Sequence, residues 1–325
     1  MHLPLETKVI PKRVVFTEGS EERILRAAVL AADHKIAFPI LLGKETKILG
    51  LSRRHGLDIG EVVVIEPISS QKLDDYVKVY SRKRDIPSGA ASNILREALY
   101  FGAMMVSQGD ADALVSGIAH ATEDIVMASE LIIGLQKDIS TPSSFLLMDI
   151  PSYSDDKGKL LLFADAAVNP EPNPEQLADI AIATAHSAAE LLGWKPRVAM
   201  LSFSTKGSAF HPLVDKVVQA VELVKKRRPE LAIDGELQVD AALVPEVAAQ
   251  KIEGDSRVAG TANILIFPDL NSANIGYKLV QRLAGAKAYG PVLQGFAKPV
   301  SDLSRGASVE DILGATLMVV KGAQV

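Results

Sequence analysis

The strongest constraint on this chain is an alternation of short β-branched runs with stretches of helical pattern. Near the N-terminus, Arg13–Phe16 (RVVF), Phe38–Leu42 and Glu61–Ile65 (EVVVI) read as strands, with helix-like segments between them. Parallel strands need a long crossover, and a helix is the usual one, so this order predicts a parallel sheet covered by helices. The first helix is expected from a Ser20 cap to about His34, with Glu21 and Glu22 in its first turn. Further helices are expected over Tyr76–Arg84, Ser92–Ser107 and Glu123–Leu135, with a strand at Ala113–Ser116. Ser144–Ile150 and Lys159–Phe163 read as strands separated by the turn-rich PSYSDDKGK. After the proline-rich FADAAVNPEPNP, a long Ala-rich helix is expected from Pro174 to about Leu192.

A second alternating series begins at Arg197. Its expected strands are Arg197–Phe203, Glu236–Val239, Asn263–Phe267 and Ala288–Leu293, and its helices run over Pro212–Lys226, PEVAAQK and Asn274–Leu283. A chain of 325 residues is long for one domain, so two α/β domains are expected, with the change in the 140s.

Composition narrows the function. Net charge is −5 and aromatic content 5%, with no long basic stripe, which argues against nucleic acid as the main partner. The absence of cysteine excludes disulfides, thiolate metal sites and a cysteine nucleophile. The six histidines show no metal-binding spacing, so no protein-bound metal is expected. MHLPLETKVIPKR has no apolar signal core, and no run of about 18 apolar residues occurs, so no membrane association and a cytoplasmic location are expected.

The polar segments follow strands. Gln294–Asp311 (QGFAKPVSDLSRGASVED) closes a strand and opens a helix, with Ser308 as the N-cap and Asp311 in the first turn. Arg305 offers a planar fork of donors to a phosphate, Ser304 adds a hydroxyl, and Gly306 lets backbone approach a ligand. The helix N-terminus beyond adds free N–H groups. The loop reads either as an anion site or as a polar turn. SFSTKGSA, with Ser202, Ser204, Thr205, Lys206, Gly207 and Ser208, reads either as a phosphate cradle or as a plain strand-to-helix loop. His120 and Thr122 lie at a strand's C-terminal end, where open α/β sheets bind ligands, or are polar residues of a helix start. Arg82, Lys83 and Arg84 end a helix, either as dipole-opposing cations or as a surface site for a phosphorylated ligand.

RVAMLSFSTKGSA, IDGELQVDAALVPEVA, NILIFPDLNSANIGYKLVQRLAG, GPVLQGFAKPVSDLSRGAS and YFGAMMV together resemble the phosphate acetyltransferase (phosphotransacetylase) family. The likeness runs from about Arg13 to the C-terminus and fits the short, single-module form. It implies two three-layer α/β domains with a cleft between them, as in isocitrate and isopropylmalate dehydrogenases. On that reading residues 1–142 and 287–325 form the first domain and 143–286 the inserted second. The implied reaction moves an acetyl group reversibly between CoA and phosphate, in a cytoplasmic homodimer, with CoA as a substrate and no tightly bound cofactor.

The family's SRG motif corresponds to Ser304, Arg305 and Gly306, which the resemblance makes holders of phosphate or acyl phosphate. Its following acid corresponds to Asp311, the general base for the CoA thiol. Gln294, Asn274, Tyr277 and the SFSTKGS loop are further expected members of the acyl-phosphate pocket. A thiolate is the competent nucleophile, and a carboxylate within reach can take the thiol proton as attack begins. Two positions depart from the family. Met127 stands where an arginine implicated in CoA binding is often found, and Tyr153 stands at the place of a frequent cysteine. Arg82, Lys83 and Arg84 are expected to compensate toward CoA. The alternatives are a phosphate acyltransferase for a longer group such as butyryl, and a non-catalytic acyl-CoA-sensing domain. A nicotinamide-linked dehydrogenase would need a cofactor motif that the sequence lacks.

Overall fold

A computed structural model describes residues 9–137, 139–151, 153 and 160–324. Most of the turn-rich stretch 151–159, including Lys159 at an expected strand start, lies outside them. Contacts divide the chain into two units, Met1–Gln136 with Phe296–Val325, and Lys137–Gly295.

The first unit begins with β1 (Lys12–Phe16), whose Val14, Val15 and Phe16 are wholly buried. It continues through α1 (Glu22–Asp33), β2 (Ala37–Leu42), α2 (Glu45–His55), β3 (Val63–Ile65), α3 (Leu73–Arg84), α4 (Ser88–Leu95), α5 (Ala98–Ser107), β4 (Ala113–Ser116) and α6 (Thr122–Ile132). The second unit contains β5 (Ser143–Asp149), β6 (Leu160–Ala164), α7 (Pro174–Leu192), β7 (Arg197–Leu201), α8 (Pro212–Arg227), β8 (Ala232–Leu237), α9 (Val239–Leu243), α10 (Pro245–Lys251), β9 (Ile264–Ile266), α11 (Leu270–Leu283) and β10 (Lys287–Gln294). The chain then returns to the first unit with β11 (Val300–Asp302) and α12 (Val309–Gly322).

The strands of the first unit run in the order β3-β2-β1-β4-β11, every pair parallel. Parallel neighbours end on the same side, so the turns after β1, β4 and β11 emerge side by side. That topology, rather than sequence proximity, assembles the polar loops of this unit. Beneath them, Ile24, Leu25 and Ala28 of α1 and Ile312, Leu313 and Leu317 of α12 pack with Val14, Phe16 and Val115 of the sheet. Each large aliphatic side chain so buried contributes about 1.5–3 kcal/mol.

In the second unit β5 lies antiparallel between β10 and β6, and β6, β9, β7 and β8 continue as parallel neighbours. The helix α7 has a capping box between Asn173 and Gln176, Pro174 in its first turn, and left-handed Gly193 at its end. Leu146, Phe163, Leu201, Leu237 and Leu265 centre the core.

Several elements differ from their sequence pattern; the helix expected from Asn274, for example, starts at Leu270. Glu21, not Ser20, occupies the N-cap of α1, with no side-chain cap. The expected helix Ser92–Ser107 is broken in two, because the backbone at Glu97 is extended. The helix α6 stops at Ile132, since Gly134 takes a left-handed turn (φ 89°) and Leu135 bridges to Phe296. The strand β8 starts at Ala232 and runs through the Asp234–Gly235 dipeptide, whereas Val239 begins a helix. A Cβ on Gly235 would lie 2.7 Å from that of Met200, so this glycine serves close strand packing and not a turn.

Candidate active site

In the first unit three turns meet at the C-terminal ends of β1, β4 and β11. Glu18, after β1, is buried, and its carboxylate accepts the backbone N–H of Gly117 (3.1 Å), Ile118 (3.0 Å), Ala119 (2.7 Å) and His120 (3.1 Å). One side chain thus fixes the turn that carries His120 and leads into Thr122. Thr17 Oγ1 donates to Ser116 Oγ at 2.6 Å, tying the same two strand ends.

The third turn is tied to the second. Leu303 N donates to Ser116 O at 2.7 Å, and the Thr122 hydroxyl donates to Asp302 Oδ2 at 2.5 Å. Gly117, at φ 127°, lies so close that a Cβ there would sit 2.3 Å from Leu303 N. Only glycine fits. Asp302 is buried, and its other oxygen, Oδ1, has no hydrogen-bond partner. Burial, aided by the charge of Glu18 and opposed by hydrogen bonds from Thr122 and the Leu303 backbone, pushes the Asp302 carboxyl up to about 6.

Ser304, Arg305 and Gly306 follow Asp302 and are exposed. Their backbone is held from below: Arg23 of α1 donates through Nη1 to Arg305 O (3.0 Å) and Ala307 O (2.7 Å). With its backbone fixed, the Arg305 guanidinium is presented outward from a rigid base. A Cβ at Gly306 would meet only Ser304 Oγ, at 3.9 Å, so the chain itself does not require glycine there. A ligand lying on that backbone would.

Ser308 is the N-cap of α12, as its sequence indicates. Ser308 Oγ accepts from Asp311 N at 3.1 Å, and Asp311 Oδ2 accepts from Ser308 N (2.9 Å) and Ser308 Oγ (2.8 Å). Both contacts fall on one carboxylate oxygen. Asp311 is half-buried beside the exposed loop.

The other sequence-identified residues of the first unit lie on different elements. Arg82, Lys83 and Arg84 form the last turn of α3, and Lys83 Nζ donates to Ile132 O at 2.8 Å, capping α6. Met127 lies on α6 and is 46% exposed.

In the second unit the SFSTKGS loop wraps around Glu236, a buried residue near the end of β8. Gly207 N (2.7 Å) and Ser204 Oγ (3.0 Å) donate to Glu236 Oε1. Lys206 N donates to Glu236 O, Thr205 N to Ser208 Oγ, Ser204 N to Ser202 Oγ, and Ala209 N to Ser204 Oγ. The N–H groups that a phosphate cradle would offer are therefore spent inside the loop. Gly207 and Ser208 are exposed, whereas Ser204 and Thr205 are buried. Lys206 pairs with Asp234. Burial works against ionising Asp234, and hydrogen bonds from Lys206 and Ser256 outweigh it, holding the carboxyl below its ordinary range.

Asn274 and Tyr277 stand on α11 and are half-buried; burial raises the Tyr277 phenol. Gln294 faces inward. Its Nε2 donates to Ser143 Oγ (3.0 Å) and Thr184 Oγ1 (2.7 Å), and Ser187 Oγ donates to its Oε1 (3.1 Å). Both amide hydrogens are thus used within the unit. Among the described residues no cluster of metal-ligating side chains occurs.

Sequence reading missed Glu18, Arg23, Asp302 and Glu236. The available signal was positional: Glu18 and Asp302 are acids at the ends of short buried strands, where an unpaired charge is costly unless a turn or a ligand uses it.

The model of the phosphate acetyl/butaryl transferase family matches residues 6–320. Phosphate acetyltransferases of Thermoanaerobacterium thermosaccharolyticum and Clostridium acetobutylicum are 48% and 46% identical to this chain over 316 residues, covering 96% of it and 95% of each relative. A phosphotransacetylase crystal structure from Streptococcus pyogenes superposes with a TM-score of 0.90 at 42% identity, covering 97% of this chain and 94% of that one. A 4-hydroxythreonine-4-phosphate dehydrogenase from Burkholderia phymatum shares the fold, at TM-score 0.56 and 12% identity.

Proposed function

Because the chain belongs to the phosphate acetyl/butaryl transferase family, it is an acyltransferase that moves acetyl groups between CoA and phosphate, and we propose that it does so by direct thiolate attack in a ternary complex. The observation that carries this reading is the exposed Ser304–Arg305–Gly306 loop, clamped by Arg23 and followed by Asp311 at the start of α12. Arg305 and Ser304 hold the acyl phosphate, the guanidinium as a bidentate donor and the serine through its hydroxyl. Asp311 takes the proton from the CoA thiol as the sulfur attacks the acetyl carbonyl. Arg305 and nearby donors stabilise the charge that develops on oxygen. No protein nucleophile is required, in accord with a chain free of cysteine.

The relatives named above are acetyl enzymes, so acetyl is favoured over butyryl. Arg82 and Arg84 are proposed contacts of the CoA phosphates. Arg82→Ala with Arg84→Ala should raise KM for CoA at unchanged kcat; an unaltered KM removes them from the CoA site. We also propose a cytoplasmic homodimer. No helix among the described residues is long and apolar enough to cross a membrane.

The test is thioester absorbance with acetyl phosphate and CoA as the only substrates. The chain is expected to accumulate acetyl-CoA, and Asp311→Asn to lose most of kcat. No thioester from the unmodified chain would refute the activity. Near-normal turnover by Asp311→Asn at neutral pH would refute the base.

A further inference from the structure

Thiolate attack on acetyl phosphate poses two proton problems. The thiol must lose a proton, and the departing phosphate must gain one, since orthophosphate expelled as the trianion is strongly basic. Asp311 answers only the first. Two carboxyl groups whose environments differ sharply are the usual way an active site divides acid from base work. The loop between β11 and α12 is flanked by such a pair. Asp311 is half-exposed and receives two hydrogen bonds on Oδ2. Asp302 is 3% exposed, has one oxygen without a partner, and has a neighbouring acid in Glu18.

We propose that Thr122 and Asp302 form a proton relay that protonates the leaving phosphate and, in the reverse direction, deprotonates the attacking phosphate. The inference rests on the acetyl-transfer reading given above. The Thr122–Asp302 hydrogen bond, 2.5 Å between oxygens with Thr122 donating, could exist in two states. With Asp302 ionised, Thr122 donates inward and presents a lone pair outward. With Asp302 protonated, the carboxyl donates to Thr122 Oγ1, and the threonine hydrogen is free to point outward. Thr122 is the group that would touch substrate. Asp302, buried behind it, holds the proton and sets the direction of the hydroxyl.

The atoms balance. The S–H bond breaks and its proton goes to Asp311, while sulfur bonds to the acetyl carbon. As the bond from that carbon to the phosphate oxygen breaks, the oxygen takes the Thr122 proton. Asp302 returns its own proton to Thr122. One carboxyl has gained a proton and the other has lost one, and exchange with solvent resets both.

Burial already lifts Asp302 to about 6, so its protonated form is populated near neutrality. The titratable groups on the surrounding elements are Glu18 after β1, Arg23 on α1, His120, Glu123 and Asp124 at the start of α6, Arg305 in the following loop, and Asp311 on α12. Of these, Glu18 acts on Asp302 and raises it. A bound acetyl phosphate dianion would raise it further. An asparagine would accept the same Thr122 hydrogen bond without burying a charge, so an acid at this position points to a use for its proton.

The experiment measures kcat and KM from pH 5 to 9 for the wild-type chain and for Asp302→Asn, Thr122→Val and Thr122→Ser, with thermal melts of each. The relay predicts that wild-type kcat falls on the alkaline side, with a midpoint above 6 in the complex. Asp302→Asn should lower kcat by roughly 100-fold or more, abolish that limb, and leave KM for acetyl phosphate within about threefold. It should melt no lower than wild type at pH 8. Thr122→Val should lose rate similarly, and Thr122→Ser should retain most of it. Acetyl phenyl phosphate, whose leaving group needs no proton, should narrow the gap between Asp302→Asn and wild type.

Wild-type kcat in Thr122→Val, or an alkaline limb retained in Asp302→Asn, overturns the relay. So does Asp302→Asn losing rate and stability together while Thr122→Val stays at the wild-type rate. Should Asp302→Asn fail to fold, the two threonine variants decide alone. A wild-type chain that makes no thioester refutes the underlying reaction instead, a distinct result.

Discussion

Glu18 satisfies four consecutive backbone N–H groups with one buried carboxylate, so its loss would strand donors that have no nearby substitute. Each stranded donor costs about 1–3 kcal/mol, and water entering the gap recovers part of that. Glu18→Ala should therefore destabilise the chain by more than about 3 kcal/mol in denaturant titration, with Glu18→Gln between it and wild type. Asp302 works in the opposite sense. Its folded value, about 6, stands above the ordinary 3.8, so the folded chain binds this proton more tightly than the unfolded one. Its contribution is full below pH 3.8 and is lost as pH rises through 6; above that, the buried charge costs on the order of 3 kcal/mol. Asp302→Asn should accordingly raise Tm relative to wild type at pH 8, with the difference shrinking toward pH 5. A Tm lower than wild type by the same amount at both values would contradict the assignment of a strained charge.

The helix α11 shows what an element reveals when its own unit leaves a face uncovered. Of its fourteen residues only Ala273 is fully buried, and Ile275 (59%), Leu279 (53%) and Leu283 (82%) repeat every four residues along one exposed side. That spacing puts the three on one stripe. Contiguous exposed apolar surface of this kind marks an interaction site. It supports the proposed homodimer, and Leu279→Glu should shift the chain to monomer in light scattering at micromolar concentration. A variant that runs at the wild-type mass would remove α11 from the interface. Element scale is also where the sequence was most legible. Arg13–Phe16, Ala113–Ser116, Pro174–Leu192 and PEVAAQK are found within a residue or so of their patterned bounds, because buried strands and capped helices write period and punctuation into the chain. Where local signals misled, tertiary packing had taken over. The strand expected at Glu236–Val239 starts instead at Ala232 and includes Gly235, which packs closely against Met200. The break at Glu97 has no glycine or proline to announce it.

For the whole molecule, the order of strands explains which parts of the candidate site could be read in advance. Ser304, Arg305, Gly306, Ser308 and Asp311 are close in sequence, and their capping box and exposed arginine are local properties. Glu18, Thr122 and Asp302 come together only because β1, β4 and β11 are parallel neighbours, a pairing that spans most of the chain and leaves no local trace. The Gln294 amide and the Gly207 N–H of the SFSTKGS loop have partners within the second unit, which their sequence does not announce. The central claim is that Arg305, on its clamped loop, grips the acyl phosphate that the CoA thiolate attacks. The most direct measurement is the steady-state rate of thioester formation by Arg305→Ala against wild type, with acetyl phosphate and CoA as sole substrates. Loss of one charge-assisted, bidentate contact predicts kcat/KM for acetyl phosphate lower by about 100-fold or more, with the melting temperature unchanged. A variant that matches wild type in both kcat and KM for acetyl phosphate would contradict it.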